Sequence, residues 1–530
     1  MGPAHMKNQV WWAHPECARW SNRLLIASLI GIVCLTLFPF QFNFAVARAS
    51  IWSPFLLGKT LKQREYLDGF LNILLFIPFG FAVSCELRGR GASRARGIIL
   101  AFVAGAIASY CVELTQFFIP QRNSAWDDVG PNSLGALTGA LIFEYCGNAL
   151  LRILSKLEEG LEEWLTPIRT AALLLLYFAL CIGVSIPLQQ KTRLSNWDAQ
   201  CGLFVGNDGS GKNAWKGQVA RLQIWNRAIP EGLVSRMTID DQAADADPGL
   251  LVSYDFTTPA PYADQRKFLP ALSRISTKPP SKDNVQAIDI ERTSWLGTEN
   301  PVGDLTRKIQ ETNQFTVRVV CVPAAIYGTN GRIVSISQSI QNVNMHLRQE
   351  GTNLVLWIRN PLSDSSSLLA WYVPNVFESG QRRDIVATYD GSDATIYLDG
   401  KKVPRSYRLS AGASLAQKFL FVRAADLSGY VILYETLIFL PAGLLIGMAA
   451  RKWSKWNGAG RLLILVDLLL PPLLLEGVLI WVSGRVFLPG NVFYSLLLSV
   501  AGVWIVNADR RAWRRAQESL PVSQESLQAR

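Results

Sequence analysis

Histidine is nearly absent: the chain has three in 530 residues, His5, His14 and His346. The first two have no cysteine or carboxylate at ligand spacing, and His346 stands alone in a long polar stretch. That disfavours zinc binding and histidine-based catalysis. Cysteine is sparse as well. Of eight, only Cys201 and Cys321 fall between residues 190 and 427, too few for a disulfide framework. Those two could pair as a disulfide or equally stay as buried thiols. Acids are outnumbered, 41 Asp and Glu against 52 Lys and Arg, a net charge of +11. The placement of the cations argues against a nucleic-acid partner. They sit in short loops beside apolar runs: Arg88, Arg90, Arg94 and Arg96; Arg451, Lys452, Lys455 and Arg461; Arg510, Arg511, Arg514 and Arg515. Cationic loops on the inner side of a membrane account for them better.

Apolar residues are what the chain has in plenty, at 49%. Eight apolar segments lie at about 22–42, 68–86, 97–119, 129–150, 167–187, 428–450, 461–483 and 488–507. A run of roughly 20 apolar residues makes one helical crossing. The expected fold is multi-domain: an α-helical polytopic membrane bundle of about eight transmembrane helices with an inserted all-β jelly-roll sandwich. The expected domains are an N-terminal segment with the first helix (1–65), a transmembrane module (66–150), and a linker with the fifth helix (151–189). An extracytoplasmic β domain (190–427), a second transmembrane module (428–507) and a basic tail (508–530) follow.

Charge sets the expected topology. With the N-terminus in the cytoplasm, the loops at 87–96 and 451–461 and the tail after 507 all fall inside, and all are basic. The β domain then falls outside, in a multi-pass protein of a bacterial-type plasma (inner) membrane. Ala45-Val46-Ala47 resembles a signal-cleavage site, but the full-length apolar run before it favours a retained helix. Trp11, Trp12 and Trp20, among Lys7, Arg19 and Arg23, are read as interfacial anchors. Residues 151–166 are read as an amphipathic cytoplasmic linker.

The stretch 68–142 carries polar groups where lipid makes them costly, and such groups suggest function. Asp68 and Asn72 lie near one end of the second span. Glu113 and Gln116 share a helix face, being three apart. Asp127 and Asp128 precede Pro131, which suits a helix start and its dipole, so capping is their structural reading. Asn132, Gly135 and Gly139 fall on one face of the fourth span. NILLFIPFGF, the glutamate of VELTQ and the pattern RNSxxxDDVxxNxxG together resemble the VanZ-like family over about 70–145. Carried over by position, the resemblance implies a membrane polar site of Asn72, Glu113, Gln116, Arg122, Asp127, Asp128 and Asn132. The family takes its name from a link to glycopeptide (teicoplanin) resistance.

The polar region reads as short strands and turns, with a hairpin at Asp390-Gly391 and another at Asp399-Gly400. LLVSYDFTT, FTVRVVCVP, GRIVSIS and NLVLWIRN add strands. The region resembles a concanavalin A-like or laminin G-like jelly roll. The segment at 203–230 that normally closes such a domain opens it here, so the domain looks circularly permuted. The resemblance implies a glycan ligand and allows calcium, for which Asp208, Asp264 and Asp390 are the candidate carboxylates, though they form no cluster in sequence. Trp197, Trp215, Trp225, Trp295, Trp357 and Trp371 are candidates for sugar stacking or for core. Gly206 to Lys212 imitates a phosphate loop, but Asn213 stands where Ser or Thr belongs and no helix follows, so a turn is expected.

The last three spans repeat the earlier ones 363 positions on, from Pro78 to Pro441. At that spacing Phe76 meets Phe439, Gly80 meets Gly443, Glu113 meets Glu476 and Arg122 meets Arg485. Asn72 becomes Glu435, Gln116 Leu479, Asp128 Asn491 and Asn132 Ser495. The expectation is one polar copy and one degenerate, more structural copy (about 433–505), arranged as a parallel repeat. Three functions follow. A non-enzymatic envelope protein would bind the lipid bilayer and a glycan or polysaccharide. A membrane enzyme would use Glu113 with Asp127 or Asp128 as acid and base on a lipid-linked glycan or phosphate. A transporter would use the repeated modules. The first is favoured.

Overall fold

In lipid, a helix satisfies the backbone N–H and C=O groups of a spanning segment within that segment itself. The computed structural model describes residues 15–38, 40, 42, 65–119, 126–276, 287–324, 330–363, 370–404, 407–419, 429–453 and 457–518. Eight helices among them are long and apolar enough to cross a membrane. The chain divides into two compact units: Met1–Ala172 with Leu444–Arg461 and Gly502–Arg530, and Leu173–Gly443 with Leu462–Ala501.

The first unit contains α1 (Pro15–Leu37), α2 (Glu65–Gly89), α3 (Arg94–Gln116) and α4 (Val129–Trp164). α1 stops at Leu37 rather than at 42, just ahead of Pro39, because proline disfavours helical geometry in the residue before it. Ser93 caps α3 by accepting from Arg96 N. α2 and α4 meet backbone to backbone. A Cβ added to Gly80 would lie 1.9 Å from the carbonyl oxygen of Ala136, one on Gly135 2.3 Å from that of Ile73, and one on Gly139 2.0 Å from that of Ile77. Small residues permit this approach, which replaces a hydrophobic drive that lipid cannot supply. Phe76, Phe79, Val112 and Ile119 fill the space beside it with Ile32 of α1.

Residues 151–164 continue α4 as one helix of 36 residues. No proline interrupts before Pro167, and the single Gly160 costs too little to break a helix. This extension is fixed to α1: Glu158 pairs with Arg19 at 2.8 Å and with Arg23 at 2.9 Å. Trp20 donates to Ser155 Oγ at 3.0 Å. Trp20, Arg19 and Arg23 thus bind a neighbouring helix. Trp11, Trp12, His5, His14 and residues 45–47 lie outside the described residues.

In the second unit, α5 (Pro167–Gln190) leads into the β domain. One antiparallel sheet runs, edge to edge, β11 (Trp371–Val373), β10 (Asn353–Ile358), β9 (Val343–Glu350), β8 (Asn330–Ser337), β1 (Gly202–Val205), β6 (Ser294–Gly297) and β4 (Ser273–Ser276). The other runs β14 (Lys401–Lys402), β13 (Asp393–Leu398), β12 (Arg383–Tyr389), β7 (Phe315–Pro323), β2 (Gly217–Trp225) and β3 (Leu250–Asp255). β5 (Ile288–Ile290) pairs with β2, and β15 (Tyr407–Arg408) with β13. Helices α6 (Glu231–Ile239) and α7 (Gly303–Thr312) cover parts of it, and α8 (Ala411–Phe419) leads out. α9 (Gly429–Trp453), α10 (Asn457–Ser483) and α11 (Pro489–Glu518) follow, with Leu444–Arg461 and the part from Gly502 on counted in the first unit. The hairpins expected at Asp390-Gly391 and Asp399-Gly400 are present, with Gly391 at φ +95° and Gly400 at φ +79°. The fold class is thus a helical membrane protein with an antiparallel β-sandwich.

All six tryptophans named as possible sugar platforms are buried, Trp225 completely. Cys201 and Cys321 are two separate buried thiols, and burial pushes each up to about 12. Asp264 accepts from the backbone N–H of Ser253, Arg266, Phe268 and Leu269, so it organises its own loop. Asp208 and Asp390 likewise accept from the N–H of Ser210 and Ser392, within their own turns. His346 lies stacked on Trp357, ring centres 5.5 Å apart, and its Nε2 meets Nη1 of Arg332 at 2.8 Å. A guanidinium is always a donor, so Nε2 accepts and the ring is neutral. Burial first, then Arg332 and Arg348, holds its pKa well below the ordinary value.

Two predictions follow from this packing. Gly139→Val forces a side chain into the Ile77 carbonyl and is expected to abolish monodisperse protein in detergent. Gly130→Ala, with open space around it, leaves the size-exclusion profile unchanged. His346 is neutral when folded but takes a proton below pH ~6.5 when unfolded, so stability is present above that pH and falls below it, by up to about 1.4 kcal/mol per pH unit. His346→Gln is expected to flatten the decline in Tm between pH 6.5 and 5, measured by differential scanning fluorimetry.

Candidate functional site

In the first unit, Ser109, Glu113 and Gln116 recur at helical spacing along α3 and are all buried. Gln116 Nε2 donates to the Thr36 carbonyl at 3.0 Å, joining α3 to α1. Asn132 on α4 donates to Ser109 Oγ at 2.8 Å, while its own Oδ1, buried, has no partner among the described residues. Asn72 on α2 donates to Asp128 Oδ1 at 3.0 Å. Asp128 stands at the N-cap position of α4 and makes no side-chain cap bond there. Asp127 is exposed, and Glu113 is 3% exposed. The three carboxylates proposed for acid–base work therefore occupy three different environments. Arg122 lies outside the described residues. Ser109 escaped the sequence reading, although it sits four positions before Glu113, on the same face.

The second unit holds a tighter network. Glu476 on α10 receives both terminal nitrogens of Arg485, Nη1 and Nη2, at 2.7 Å each. It also accepts from Leu488 N at 2.9 Å and Asn491 Nδ2 at 3.3 Å. Both partners of the ion pair are 3% exposed. Ser495 on α11 donates to Glu435 Oε2 on α9 at 2.7 Å. Close packing recurs as well. A Cβ on Gly443 would lie 2.2 Å from the Ser499 carbonyl oxygen, the same relation, 363 positions on, as Gly80 to Ala136.

Helix C-termini leave carbonyls without intrahelical donors. The β domain supplies donors for two such ends. Asn313, at φ +57°, donates through Nδ2 to the Ser483 carbonyl while its Oδ1 accepts from Leu194 N at 2.8 Å. Gln314 Nε2 reaches the Gly484 carbonyl at 2.8 Å, and Arg193 Nη1 that of Val482 at 2.6 Å. At the end of α5, Ser414 Oγ donates to the Leu188 carbonyl at 2.7 Å, and Ala411 N to Gln189 Oε1 at 3.0 Å. The sandwich is seated on α5 and α10 by directed hydrogen bonds.

Fold and site together define a multi-pass membrane protein with an antiparallel β-sandwich inserted between its spans. Residues 24–150 match the VanZ/LLP1 family model. The match takes in α1 as well as α2 to α4, a wider span than the motifs at 70–145. No curated protein and no solved structure matches the chain.

Removing one partner of a buried ion pair strands the other, at about 3–5 kcal/mol. Glu476→Leu and Arg485→Leu are each expected to lower Tm strongly in detergent. The double variant Glu476→Leu with Arg485→Leu should recover most of that loss, because neither charge is then left unpaired.

Proposed function

We propose that this is a non-enzymatic envelope protein of the plasma membrane whose β-sandwich binds a cell-surface or cell-wall polysaccharide. Its helices hold the sandwich at the membrane, and in the VanZ-like part Asn132, Glu113 and Asn72 are the polar groups between helices that would meet a polar headgroup or glycan precursor. The observation that carries the reading is an open groove on the sandwich of about 260 Å³, at the ends of β2, β5 and β7. Lys216, Gln218, Asp289 and Glu291 line it, with Gln218 Nε2 on Asp289 Oδ1 at 2.9 Å. Planar amide and carboxylate groups beside a cation suit the paired hydroxyls of a sugar, and the volume suits one residue of a chain. The buried tryptophans leave stacking out of this reading.

The basic loop at 88–96 supports placing both termini in the cytoplasm and the sandwich outside. β1 and β2, first in the chain order, lie in the interior of their sheets rather than at an edge, which supports circular permutation of a jelly roll. The matched contacts Gly80 to Ala136 and Gly443 to Ser499 support duplication of the VanZ-like module.

The test is binding of purified full-length protein to an array of envelope polysaccharides. Wild type should bind at least one, and Asp289→Ala and Gln218→Ala should each weaken it about tenfold, the worth of one hydrogen bond to a charged or polar partner. A wild type that binds none, or alanine variants that bind equally well, would overturn the assignment.

A further inference from the structure

Where the sandwich meets α5, α9, α10 and α11 there is a small, partly open space of about 10 Å³, enough for one water-sized guest. Gln189, Arg408, Tyr434, Glu435, Arg485 and Asn491 contribute to its wall. Glu435 is 2% exposed. Its Oε2 accepts from Ser495, and its Oε1 has no hydrogen-bond partner among the described residues.

The neighbouring charges leave this carboxylate uncompensated. Arg485 is held by both oxygens of Glu476. Arg408 is held by both oxygens of Asp393, Nε to Oδ1 and Nη2 to Oδ2, at 2.8 Å each. Asp390, on the turn before β13, accepts from the N–H of Ser392 and Asp393, and burial pushes its carboxyl above the usual range. The α5 wall brings Ser185 and Gln189, whose side chains are neutral. Tyr434 donates to Ser185 at 2.6 Å, and Gln189 Oε1 is taken by Ala411 N. α11 brings Asn491 and Ser495, also neutral. Among the residues that line the space Glu435 is the acid, and the two cations, Arg408 and Arg485, are each already paired with a carboxylate behind them. A buried carboxylate in that position calls for a positive charge. At the matching place in the first unit stands Asn72, which is polar but uncharged, so the acid is peculiar to the second.

We propose that Glu435 binds one small cation, a proton or an alkali ion, in this space, making the second bundle an ion-binding element closed over by the sandwich. The shared chemistry is a single positive charge on Oε1. A proton would sit on that oxygen directly. An alkali ion would add oxygens of Asn491 or a water.

The experiment measures Tm of the full-length protein in detergent from pH 5 to 9, in sodium chloride and in choline chloride of equal ionic strength. All proteins carry His346→Gln, which removes the contribution of His346 from the profile. A pH dependence that is the same in both salts and vanishes in Glu435→Gln assigns the proton. A sodium-specific rise at fixed pH, about 2–4 °C at tenfold excess over Kd and absent from Glu435→Gln, assigns the alkali ion. Equal pH and sodium responses with Glu435 and with Glu435→Gln would overturn the proposal. Should Glu435→Gln fail to fold, Ser495→Ala replaces it. Loss of the hydroxyl on Oε2 should displace the midpoint of the response, and an unmoved midpoint would overturn the proposal.

Discussion

The pairing of Arg485 with Glu476 is the interaction on which the second unit depends. It reaches across nine positions of sequence, from within α10 to the loop beyond it, and the same carboxylate takes Leu488 N just ahead of α11. One buried group thus sets the turn between two spans. That turn offers the Val482, Ser483 and Gly484 carbonyls in a fixed arrangement, and Arg193, Asn313 and Gln314 bond to them. The sandwich's position on its helices follows from an ion pair inside the bundle. A seat made of directed bonds to backbone resists rotation in a way that an apolar patch, which has no preferred direction, does not.

The two helical units solve one packing problem with different chemistry. In each, a glycine lets one helix touch the backbone of another, at Gly80 on Ala136 and at Gly443 on Ser499. Around that contact the first unit sets amides and a hydroxyl, in Asn72, Ser109, Gln116 and Asn132, beside the carboxylates of Glu113 and Asp128. The second uses charge, in Glu435, Glu476 and Arg485. A paired buried charge is more costly to disturb than a neutral hydrogen bond, so the second arrangement is the more rigid. The first retains an acceptor, Asn132 Oδ1, with no partner among the described residues.

Much of the fold was legible because it rests on pattern. Eight apolar runs, alternating strands and the two Asp-Gly turns each report a local rule that tertiary structure did not override. Where local rules are weak, the reading departed from the structure. The continuation of α4 through 151–164 depends on Arg19 and Arg23 meeting Glu158 from a distant helix, which no window of sequence displays. Burial of all six tryptophans is a property of the assembled sheets. The polar positions of the first bundle could be named from motif and spacing, but their partners could not. Asn72 to Asp128 and Gln116 to Thr36 are contacts between helices, and only packing decides them.

If the second bundle is a copy of the first, as proposed above, Leu479 in place of Gln116 and Ser495 in place of Asn132 suggest decay. Geometry reverses that sense for at least one position. Loss of a function removes the selection that keeps polar groups in lipid, and drift should then replace them with apolar side chains, which cost nothing there. Glu435 runs the other way: an acid stands where the first unit has an amide, and its hydroxyl partner Ser495 stands where the first unit has Asn132. Two positions on different helices carry complementary groups. A bundle kept only as a scaffold for the sandwich would need the Glu476–Arg485 pair, but it would have no use for a second buried carboxylate with one oxygen left open.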